Sequence, residues 1–67
     1  MEITFNNTVH QIEAKASVAH VLNSLIGEMQ KGIAVAVNET VIPKAQWDSY
    51  ELSNNDTVLV IKASQGG

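Results

Sequence analysis

The chain has no cysteine, which excludes disulfides, thiolate metal sites and any side-chain thiol acting as nucleophile or sulfur carrier. Basic residues are few: four Lys or Arg stand scattered against seven Asp or Glu, for a formal net charge of -3 and a pI near 5.0. A surface that neutralises a phosphate backbone cannot be assembled from so little positive charge, so nucleic acid is excluded as a partner. The four glycines follow no phosphate-binding spacing. No apolar run approaches the ~20 residues of a membrane-spanning helix, and the N-terminus opens on a strand-like pattern rather than a basic region and apolar signal core. These absences predict a soluble, cytoplasmic protein with no membrane partner. They also leave room for only one domain, because 67 residues can remove no more than about 60% of the unfolded chain's surface from water.

Conventional active-site groups are equally thin. His10 and His20 lie on different predicted elements with no metal-ligand spacing. Ser17 is placed to cap a helix. Ser49, Ser53 and Ser64 lack the flanking pattern of a nucleophile elbow. The acidic residues Glu2, Glu13, Glu28, Glu39, Asp48, Glu51 and Asp56 are dispersed, and paired-carboxylate catalysis needs a cleft for which so small a domain has little room. No metal site and no catalytic constellation is expected.

What is present is a clear secondary-structure pattern. Met1, Ile3 and Phe5 alternate with Glu2, Thr4 and Asn6, the period of a half-buried strand. Asn6-Asn7, two residues that tolerate positive φ, predict a tight hairpin into a second strand over about 8–14. Val9 and Ile12 have opposite parity there, which hints at a bulge and leaves the facing open. After the Ser17 N-cap, the residues Val18, Val21, Leu22, Leu25, Ile26 and Met29 form one helical face, ending at Gly27 or running on to Gly32. Ile33 to Val37 reads as an interior strand. Asn38-Glu39 begins a second turn, followed by a short strand at 40–42 that Pro43 confines to an edge. Lys44 to Tyr50 is a turn or short helix in which Trp47 plugs one end of the core. Asn54-Asn55-Asp56 is a further turn before the last strand, Thr57 to Lys62.

One helix cannot cover two sheets, so it must lie across one face of a mixed sheet of four or five strands. This is an α+β roll, and pairing of the first and last strands at its centre would make it a β-grasp. The expected division is a domain over 1–63 and a flexible C-terminal tail over 64–67.

The last strand is apolar at every position from Val58 to Ile61, yet only alternate side chains can meet the helix. With Val58 and Val60 inward, Leu59 and Ile61 point outward beside Ala34 and Ala36. An exposed apolar patch of that kind marks a partner-docking surface.

The strand leads toward Gln65, Gly66 and Gly67. At average glycine usage of about 7%, two glycines would close a chain by chance roughly once in 200 cases. Lacking Cβ atoms, they can thread a narrow active site. A terminal carboxyl has a pKa of about 3.5 and is ionised at neutral pH, so it can attack the α-phosphorus of ATP when another protein positions it. The acyl-adenylate so formed is open to a sulfur or amine nucleophile. In a chain without cysteine, sulfur could be carried only as a terminal thiocarboxylate.

Ala36-Val37-Asn38, Ile42-Pro43 with Trp47 four residues after the proline, Asn55-Asp56 before the last strand, and Gly66-Gly67 together resemble the ThiS family, the ubiquitin-like β-grasp sulfur carriers of the thiamine pathway. The diglycine alone would also suit ubiquitin or the small subunit of molybdopterin synthase; the Pro43–Trp47 spacing and short chain favour the thiamine carrier. The resemblance implies that a ThiF-like adenylating enzyme, consuming ATP and Mg, activates Gly67. It further implies that sulfur originates from cysteine through a desulfurase, and that the thiocarboxylate donates it to thiazole synthase. Gln65 and Gly66 would thread the partner's site, while Leu59, Ile61, Ala34 and Ala36 would dock. Lys62-Ala63-Ser64-Gln65 departs from the more apolar approach to the diglycine common in such carriers. Two other readings are a carrier for molybdopterin synthase or a protein-modifying pathway, and a non-covalent adaptor docking through Leu59 and Ile61 with an inert tail.

Overall fold

The computed structural model describes residues 1–27 and 32–62. Expectations that fall on Met29, Gln65, Gly66 and Gly67, and on the domain boundary after residue 63, lie outside the described residues.

Among the described residues, five strands and one helix follow in the order β1 (Glu2–Phe5), β2 (Thr8–Gln11), α1 (Val18–Leu25), β3 (Ile33–Val37), β4 (Thr40–Val41) and β5 (Thr57–Lys62), with a 3₁₀ turn at Lys44–Gln46 between the last two strands. The sheet order is β2-β1-β5-β3-β4. β1 and β5 run parallel at its centre, and the three remaining pairings are antiparallel. This is the mixed sheet and single helix expected of a β-grasp.

Both hairpins form for the reason their residues suggest. Asn6 and Asn7 take φ of 47° and 71°, and Asn38 and Glu39 take 50° and 73°, the paired positive angles that match the twist of two-residue hairpins. β2 is shorter than expected. It ends at Gln11, opposite Glu2, and one further pair of bonds follows: the Ile12 N–H donates to Met1 O at 2.7 Å, and the Met1 ammonium donates to Ile12 O at 2.6 Å. Its register with β1 is continuous from Phe5↔Thr8 to Glu2↔Gln11, so there is no bulge; Val9 faces outward and Ile12 inward. β4 likewise stops at Val41, one residue early, although the Ile42 N–H still reaches Val35 O at 2.8 Å.

The N-terminus of α1 is fully satisfied. A helix leaves its first N–H groups without intrahelical acceptors, and here three separate groups take them. Val18 N–H donates to Tyr50 O, Ala19 N–H to Trp47 O and His20 N–H to Ser17 Oγ. The helix ends at Leu25, and Gly27 follows at φ 58° with its N–H on Leu22 O. Of the two expected ends, the one at Gly27 is realised.

The core joins Val18, Val21 and Leu22 of the helix to Ile3, Phe5, Val35, Val37 and Val58 of the sheet. Trp47 closes one end as expected, 5% exposed, with its indole N–H donating to Ile42 O at 2.9 Å. A buried Trp needs such a partner for its only polar group. Leu52 joins the same core, which its turn-rich surroundings in the sequence did not signal.

Candidate docking face and the approach to the tail

β5 is the central strand, so its position controls both faces of the sheet. On one side, β3 and then β4 bring residues far apart in sequence beside it: Ala36 lies opposite Leu59, Ala34 opposite Ile61, and Ala36 also opposite Val41. Residues directly opposite each other share a face. Leu59 and Ile61 therefore stand on the side away from the helix, 43% and 53% exposed, flanked by two alanines too small to cover them. This is the facing expected from alternation along β5.

Val41 was not anticipated. It is 67% exposed and continues the row Leu59–Ala36–Val41 to the sheet edge. Two strand residues ahead of a proline contain too short a run for alternation to be read, and only the register with Ala36 places the side chain. Val9 is on the same face beyond Thr4, its partner in β1. Among the described residues, the four large exposed hydrophobics are Val9, Val41, Leu59 and Ile61, and all four lie on this one surface. Isolated surface aliphatics such as Val9 need no explanation, but the run of Ile61, Leu59 and Val41 across adjoining strands does.

The start of β5 is held by side chains. Asn38 Oδ1 accepts from Thr57 N–H at 2.9 Å while its amide nitrogen donates to Asp56 Oδ1 at 2.8 Å. Asp56 Oδ2 in turn accepts from Ser53 N–H at 2.8 Å. The turn at 53–56 and the turn at 38–39 are thereby clamped to the same strand end. At the other end, β5 carries Lys62 opposite Ile33 and leads toward Gln65, Gly66 and Gly67, which lie outside the described residues.

Among the described residues, the other polar groups are engaged in caps, turns and an open surface cleft. Glu13, Lys15, Ser17, His20, Asp48 and Glu51 border an open cleft of about 420 Å³, in which His20 Nε2 lies 2.9 Å from Glu13 Oε1. The Ser17 hydroxyl there is an acceptor for the helix cap. Ser49 Oγ donates to Gln46 O at 3.3 Å. His10 is half-buried and stands edge-on to Phe5, ring centroids 6.0 Å apart. Among the described residues no three His, Asp or Glu side chains are grouped to hold a metal ion, and no helix is long and apolar enough to cross a membrane.

Residues 2–67 match the ThiS family. The chain is 31% identical over 67 residues to the Sulfur carrier protein ThiS of Escherichia coli (strain K12), with the whole of both chains covered. Its fold superposes on the crystal structure of the thiamine biosynthesis protein ThiS from Geobacter metallireducens with a TM-score of 0.87, at 20% identity and with both chains fully covered. With one family matched almost end to end, and a β-grasp sheet whose central strand leads into the diglycine, the chain belongs to the ThiS family.

Proposed function

We propose that this protein is a sulfur carrier for thiazole formation in thiamine biosynthesis, acting in the cytoplasm as a co-substrate of other enzymes. The observation that carries the reading is the family match across residues 2–67, joined to full-length similarity with a sulfur carrier. The domain over 1–63 serves as the handle, and residues 64–67 as the tail that enters the partner's site.

A ThiF-like adenylating enzyme docks on Leu59, Ile61, Ala34, Ala36 and Val41 and receives Gln65, Gly66 and Gly67 in a channel. The Gly67 carboxylate attacks the α-phosphorus of ATP, whose charge is balanced by Mg; pyrophosphate leaves and an acyl-adenylate remains. A sulfide-level nucleophile, its sulfur drawn from cysteine through a desulfurase, then attacks the acyl carbon. AMP departs and a thiocarboxylate is left at Gly67. Thiazole synthase accepts that sulfur. The chain's own part is recognition and presentation, which suits a protein whose Ser17, Asn38 and Asp56 side chains are occupied in a cap and turns.

Intact-mass measurement tests this. After incubation with ATP, Mg, the adenylating enzyme and a sulfur source, the protein should gain the mass of one sulfur in place of one oxygen, located at Gly67 by fragmentation. An unchanged mass with demonstrably active partners would refute the carrier function. Deleting Gly67 should abolish the mass change while leaving partner binding measurable; full biological function in the deletion would instead identify an adaptor.

A further inference from the structure

In a parallel ladder a residue donates its N–H to the carbonyl preceding its partner and accepts at its own carbonyl from the N–H that follows it. Thr4, opposite Thr57, donates in this way to Asp56 O at 2.9 Å. Asn6, two residues further on, stands opposite Leu59 and donates to Val58 O at 3.0 Å. The next bond of the pattern would run from Val60 N–H to the Asn6 carbonyl. However, Asn6 is the first residue of the hairpin turn, at φ 47°, where the backbone leaves the strand direction. Its side chain supplies the acceptor instead: Asn6 Oδ1 accepts from Val60 N–H at 2.7 Å. One residue thus grips β5 at both Val58 and Val60.

The location of this grip gives it a role. β1 ends at Phe5, so past Leu59 the only described strand beside β5 is β3. Two-stranded ribbons twist more strongly than wider sheets, and the Asn6 amide extends three-stranded support by one more residue. Val60 lies between the outward residues Leu59 and Ile61, two residues before Lys62, where β5 ends. A change in the direction of β5 at Val60 is inherited by Ile61 and Lys62, and so by the point at which the chain leaves the docking face; a misplacement of ~1 Å at a reacting group already costs catalysis dearly.

We propose that Asn6 is a positioning residue for the adenylation reaction: by replacing the missing β1 carbonyl it sets the line along which β5 delivers the tail. The proposal rests on the carrier reading above. It separates two functions of β5, since the face formed by Leu59 and Ile61 decides binding while the Asn6 brace decides where the bound tail points.

Three variants test this in ATP–pyrophosphate exchange with the thiamine-pathway adenylating enzyme of the same organism. Asn6→Gly keeps the positive φ and removes the acceptor; Asn6→Asp restores an acceptor in a residue that also tolerates that angle. Asn38→Gly is the control, because Asn38 is likewise the first residue of a hairpin turn and likewise accepts from a β5 N–H, but at Thr57, remote from the tail. Asn6→Gly should lower kcat about tenfold or more, with KM for the carrier within about twofold. Asn6→Asp should recover most of that loss, and Asn38→Gly should leave kcat within about twofold. Equal kcat losses in Asn6→Gly and Asn38→Gly, or no recovery in Asn6→Asp, would overturn the positioning role and leave the carrier reading standing. If the wild-type protein itself supports no exchange with an active enzyme, the carrier reading falls and this inference with it.

Discussion

The two faces of the sheet are built from the same kinds of residue and have opposite fates. On the inner face Val58 is 1% exposed and packs with Ile3, Val35 and Val37 beneath Leu22. On the outer face its chain neighbour Leu59 is nearly half exposed, with Ile61 and Val41 more so. One helix can cover only one side, so the apolar character of Val58 is used in folding, whereas that of Leu59 stays largely open to solvent. Composition does not separate these roles. The difference lies in what each side chain meets, and each role can be probed by substitution without depending on the other.

The largest effect is expected from Val58→Asp. An unpaired carboxylate in the core would cost more than about 4 kcal/mol, a large part of the stability of a small domain, and circular dichroism should show the cooperative thermal transition lost or displaced by tens of degrees. Leu59→Asp, one residue away, should do the opposite. Its melting midpoint should stay within a few degrees of wild type, while affinity for the adenylating enzyme, measured by calorimetry, falls by roughly 30-fold, the equivalent of about 2 kcal/mol for a residue near the middle of an interface. A fully folded Leu59→Asp variant with undiminished affinity would remove the outer face from the docking reading. Val41→Ala should have the smallest effect. Stability should change by less than about 0.5 kcal/mol, and affinity should fall only a few-fold because rim residues contribute less than central ones. A larger loss than that of Leu59→Asp would move the centre of the docking face toward β4.

Much of this arrangement was legible because it depends on local periodicity. Alternation over Met1–Phe5 and the unbroken β-branched or small run Ile33–Val37 mark strands, the spacing from Val18 to Ile26 marks one helical face, and the asparagines at 6, 7 and 38 mark tight turns. The outward facing of Leu59 and Ile61 followed from one further step, that a single helix leaves one sheet face uncovered. Where no period exists, reading failed. Val41 and Leu52 sit in short or turn-rich stretches, and their opposite placements, one exposed and one in the core, depend on Val41↔Ala36 pairing and on Leu52 N–H meeting Ala16 O. Asn6 was legible as a turn former through its backbone tolerance. Its side-chain bond to Val60 was not, since the partner is 54 residues distant.

By itself the sequence determined the element order, the hairpin positions, the absence of any thiol, and an apolar last strand running toward Gly66-Gly67, because each follows from bonded neighbours and from which residue types are present. Only the tertiary structure decided that Val41 joins the outer face and that Asn6 braces β5 short of the tail. Both depend on bringing strands from opposite ends of the chain side by side, and register between distant strands is a property of the packed sheet that no local pattern encodes.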